Sequence, residues 1–129
     1  ERLRARCSDA QLARVDFLDD YQLQVEHALD LVGRQRVLFV DASLSGAAPF
    51  EATAVQAARD TSFTTHAMSP AAVLQVYREL QRAEPPPCTL LAIRGERFEL
   101  GEAPGAAALG HLEQALAWGQ AWLAQSAPR

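Results

Sequence analysis

Asp41, His66 and Asp19 are the residues whose types and settings could do chemistry. Asp41 follows the apolar run Val37-Leu38-Phe39-Val40, which reads as a strand buried on both faces, and so is expected where that strand ends. In open α/β sheets ligands bind at this edge, outside the carboxyl ends of the strands. His66 stands just before Ser69-Pro70, a helix start with serine as N-cap and proline at the first helical position. A carboxylate and an imidazole converging on one cation suit zinc or nickel, but two ligands specify neither metal. The residues alone leave a second reading equally open, with Asp41 capping its loop through the Ser43 amide and His66 packed beside Met68. Asp19 and Asp20 are adjacent, so in an extended segment only one of them can face a site. His27 and His111 fall on expected helices and read as partly exposed surface residues.

The chain that must position these groups has 129 residues, 49% of them hydrophobic, enough for one domain with one core. Its net charge of -4 and scattered arginines argue against a nucleic-acid partner, which demands a basic patch. No apolar run approaches the ~20 residues that span a bilayer, so no membrane partner is expected. All 12 basic side chains are arginine. The absence of lysine removes Schiff-base chemistry, and it also removes the response-regulator receiver, whose acidic pocket needs a lysine. Cys7 and Cys88 lack metal-type spacing and point to a reduced, cytosolic compartment rather than a disulfide framework.

In chain order, Glu1 to Cys7 reads as the last turns of a helix and Ala13 to Leu18 as a strand with Val15 and Phe17 on one face. Gln22 to Val32 has helical spacing, with Gly33 as its stop. The strand to Asp41 follows, then the loop Ser45-Gly46-Ala47-Ala48-Pro49 and a strand over Phe50 to Ala58. The Ser69-Pro70 helix buries Val73, Leu74, Tyr77 and Leu80 and ends at Glu84-Pro85-Pro86-Pro87. Cys88 to Ile93 is a second strand of central type, and Arg97 to Leu100 a short extension. A final helix over about Ala106 to Leu123 carries Leu109, Leu112, Leu116, Gly119 and Leu123 on one face. Strands alternating with helices predict a three-layer α/β/α sandwich with a mostly parallel central sheet. No phosphate-binding glycine loop, nucleophile elbow or paired-histidine zinc helix is present.

The order of aspartate, buried strand with aspartate, histidine and a late Phe98-Glu99-Leu100-Gly101 motif resembles the endopeptidases that complete nickel-iron hydrogenase large subunits. Val37 to Ala42, Asp19 with its loop, Thr65-His66 before the Ser-Pro helix start, and Ile93 to Gly101 carry the likeness, which covers most of the chain. The family's N-terminal strand and acidic motif have no counterpart here, Glu1 to Cys7 matching the helix that follows them. The resemblance implies removal of a C-terminal peptide from the large-subunit precursor, with Asp41 and His66 as ligands to nickel. That nickel arrives with the substrate, and no organic cofactor is implied. Asp19 would orient or deprotonate the attacking water.

Two other classes fit the same residues: a non-catalytic chaperone or binding module for the large subunit, and a small hydrolase with its own zinc. If the family's first strand is missing, the sheet should expose an edge beside the strand ending at Asp41 or Asp19, and such an edge favours self-association. Trp118 lies on the flank of the last helix. It is expected either to pack on the Glu1 to Cys7 helix or, partly exposed, to contribute to a protein contact.

Overall fold

The computed structural model describes residues 2–9, 15–18, 23–43, 46–59, 68–95 and 105–125. These contain a short helix α1 (Arg2–Ala5), a 3-10 helix (Val25–Leu31), strands β1 (Val37–Ser43) and β2 (Phe50–Ala54), helix α2 (Pro70–Gln81), strand β3 (Cys88–Arg94) and helix α3 (Ala106–Ala124). The chain forms two compact units. One draws on residues 1–18, 40–52 and 91–126, the other on 19–39, 53–90 and 127–129.

The strand order is β1-β3-β2, so β3 is central and β1 is an edge strand among the described residues. The Val37 amide donates to Pro87 O, which sets the starts of β1 and β3 side by side, in parallel. Against β2, the Val55 amide donates to Cys88 O and the Arg94 amide to Pro49 O, an antiparallel register. The described sheet is therefore small and mixed, not the mostly parallel sheet of a three-layer sandwich. Only residues 44–49 separate β1 from β2. A parallel crossover needs about a dozen residues, so β2 has to run back antiparallel. Val15–Leu18 keeps the expected alternation, with Val15 and Phe17 half-buried and Asp16 and Leu18 exposed, but forms no strand.

In the second unit the core is built from Ala28, Leu31, Val73, Leu74, Tyr77 and Cys88, with Val37, Phe39, Val55 and Met68 packed against it. Helix α2 starts as its sequence dictates: Ser69 Oγ accepts from the Ala72 amide at 3.1 Å, and Pro70 occupies the first turn, where no amide partner is needed. It stops at Gln81, before the prolines, on Arg82 in the left-handed conformation at φ 53. Leu80 is left exposed at 57%. Within the helix expected over Gln22 to Val32, Val25–Leu31 is a 3-10 helix instead of an α-helix. Residues three apart eclipse in that geometry, so Ala28 and Leu31 turn inward together while Leu29 and Val32 stay 58% and 48% exposed. Gly33 takes φ 79 just beyond its end, the conformation that a helix stop of this kind asks of glycine. The Gln24 amide donates to His27 Nδ1 at 2.8 Å, which gives that imidazole a capping role.

In the first unit α3 buries Ala115, Leu116 and Gly119. A Cβ on Gly119 would lie 3.3 Å from Leu3 Cδ2, so the missing side chain is what lets α1 approach. The Arg6 guanidinium reaches both Glu113 oxygens at 2.8 and 2.7 Å, an exposed pair contributing about 0.2–1 kcal/mol. Trp118 is half-buried, and its ring meets that of Phe50 of β2, centroids 6.2 Å apart.

The two glycines of α3 should respond oppositely. Gly110 is exposed with nothing within 4 Å of a built Cβ, so Gly110→Ala should raise stability by about 1 kcal/mol through helix propensity. Gly119→Val should lower it by about 1–3 kcal/mol by driving into Leu3. Urea denaturation of both variants measures the contrast.

Candidate functional site

Asp41 lies within β1, two residues short of its end, rather than just beyond it. Alternation along the strand puts it on the face that carries Val37 and Phe39. Its side chain is exposed, and Oδ1 accepts from the Ala42 amide at 2.8 Å. Val40, expected in a doubly covered strand, is 54% exposed.

Asp19, Asp20, His66 and the Phe98 to Gly101 motif lie outside the described residues. The described flanks of two of these segments meet: the Met68 amide, two residues after His66, donates to Leu23 O, four residues after Asp19, at 3.1 Å. Met68 also packs on the core of this unit, so the lead into α2 is held both by a backbone bond and by burial. Among the described residues no group of three or more His, Cys, Asp and Glu side chains is arranged to hold a metal ion. No described helix is long and apolar enough to cross a membrane.

At the carboxyl end of β3 the structure adds residues that the sequence did not single out. Arg94 Nη1 donates to Gly46 O at 2.6 Å, and the Ala47 amide donates to Glu51 Oε1 at 2.9 Å. His111 Nδ1 lies 3.2 Å from Arg94 O, which ties α3 to the same strand end. The available signal was an arginine placed directly after an apolar strand and before Gly95. Both expected surface histidines, His27 and His111, are half-buried and bonded to backbone.

Neither described cysteine is set up as a nucleophile. The Cys7 thiol donates to Leu3 O at 3.2 Å. Cys88 is buried, donates to Pro86 O at 3.1 Å, and burial pushes its thiol from 9.0 up to about 11. No family model, curated protein or solved structure matches the chain.

The Cys88 thiol makes a direct prediction. It should resist iodoacetamide in the native protein and react on unfolding. The folded state holds its proton to higher pH than the unfolded chain, so the contribution of Cys88 to stability should fall as pH rises from 9.0 through about 11. Denaturation midpoints of the wild type across that window should drop more steeply than those of Cys88→Ala.

Proposed function

We propose that this protein is a cytoplasmic endopeptidase that removes the C-terminal extension of a nickel-loaded nickel-iron hydrogenase large-subunit precursor. The reading is carried by the likeness of Val37 to Ala42, of Thr65-His66 before Ser69-Pro70, and of Phe98 to Gly101 to that family's motifs. The bond between Met68 and Leu23 supports it, because it joins the described flanks of the segments bearing His66 and Asp19. Asp41 on an exposed stretch of strand is open to a macromolecular substrate.

In this mechanism the substrate's nickel takes an oxygen from Asp41 and a nitrogen from His66, and Asp19 orients a water and accepts its proton. The water oxygen bonds to the scissile carbonyl carbon, the C–N bond breaks, and the proton passes to the departing amine. Coordination makes the step selective. A precursor without nickel loses the contact that holds its scissile bond near the water, and misplacement on the ångström scale costs about 100-fold in rate.

The test uses full-length protein and nickel-loaded precursor. Asp41→Asn and His66→Ala should each reduce processing by about 100-fold or more while melting temperature stays at the wild-type value. Normal processing by both variants would remove this mechanism. Purified protein should contain no stoichiometric metal. Stoichiometric zinc would identify a hydrolase with its own metal, and tight precursor binding without cleavage would identify a chaperone.

A further inference from the structure

Because β1 and β2 pair with opposite sides of β3, the segment that joins them passes over the carboxyl end of β3, a span of two strand spacings or about 9.6 Å. Arg94 is the last residue of β3 and lies under that crossing. Its guanidinium donates to Gly46 O at 2.6 Å and its amide donates to Pro49 O at 3.0 Å, so one residue grips both ends of the described loop. Between these points the Ala47 amide donates to the Glu51 carboxylate at 2.9 Å. A cationic donor and an anionic acceptor thus hold the carbonyl and the amide of a single peptide group, Gly46-Ala47, and such charge-assisted bonds are the stronger and more directional kind. Gly46, Ala47 and Ala48 offer little apolar surface that packing could use instead. Behind Arg94, His111 of α3 meets its carbonyl and steadies the strand end.

We propose that Arg94 is a positioning residue: by fixing the 46–49 loop over the end of β3 it makes the substrate's C-terminal segment approach Asp41 in a single geometry. The role rests on the endopeptidase reading above. The loop follows β1 only a few residues after Asp41, so it borders the approach of a peptide to that carboxylate. Arg94 acts through the loop and is not assigned a contact with the reacting atoms.

Hydrogen exchange of the 46–51 segment and steady-state processing, both in full-length protein, test this together. Arg94→Ala should speed exchange of that segment and lower kcat on nickel-loaded precursor by about 10-fold, and Arg94→Lys, which keeps a charged donor, should recover most of both. Glu51→Gln changes an exposed side chain and should shift exchange and kcat in the same direction by less, which keeps the test available should Arg94→Ala fold poorly. If wild-type protein leaves the precursor whole, the endopeptidase reading falls and this role falls with it. If the wild type cuts and Arg94→Ala or Glu51→Gln exchanges faster yet cuts at the wild-type kcat, or exchanges no faster, the positioning role alone is overturned.

Discussion

β3 has a neighbour on each side, parallel β1 and antiparallel β2, and the short segment between those two strands has no route except across the end of β3. That constraint decides what lies at the carboxyl-end edge. It brings Gly46 over Arg94, puts the start of β2 beside the end of β3, and leaves Asp41 on a strand with one described neighbour. A longer connection would have permitted a helical crossover and a parallel β2, leaving the edge open in the way doubly wound sheets leave it. Here the edge is covered by a polar loop, and charge-assisted hydrogen bonds take over the work that apolar packing does elsewhere.

Apolar burial does govern the second unit. Val73 and Leu74 of α2 are fully buried, and Leu31 and Ala28 of the 3-10 helix close against them. Burying a side chain of the Leu31 or Leu74 kind is worth about 1.5–3 kcal/mol, more than the N-cap at Ser69 at about 1 kcal/mol. The cap sets where α2 begins, and burial sets that it stays. Since Met68 joins this core and bonds Leu23, both forces converge on the segment that carries His66 into α2.

Features set by local chemistry were legible in the sequence. Ser69-Pro70 announced the start of α2, Gly33 the stop of the helix before β1, and the leucine spacing the extent of α3, which ends within a residue of the expected place. Features set by partners were not. An apolar run such as Val37 to Val40 looks the same on an edge strand as on a central one, and only the order β1-β3-β2 separates them. The Gln22 to Val32 segment offered two apolar faces, Ala28 with Leu31 and Leu29 with Val32, and packing against α2 chose the first. A helix stop on left-handed Arg82 carries no compositional mark, since glycine is the usual residue there. At the candidate site, Asp41 could be placed to within two residues of the strand end. Arg94 and Glu51 could not be found, because a surface charge and a loop anchor have the same spelling.

Binding by Asp41 and His66 of a metal that the substrate brings can be tested without relying on turnover. X-ray absorption at the nickel edge does so by comparing the nickel-loaded precursor alone with the same precursor bound to full-length protein. Complex formation should add oxygen and nitrogen scatterers to the nickel shell, and Asp41→Asn and His66→Ala should each remove one of them while the complex still forms. A nickel spectrum unchanged by binding of the wild-type protein would contradict metal coordination by these two residues.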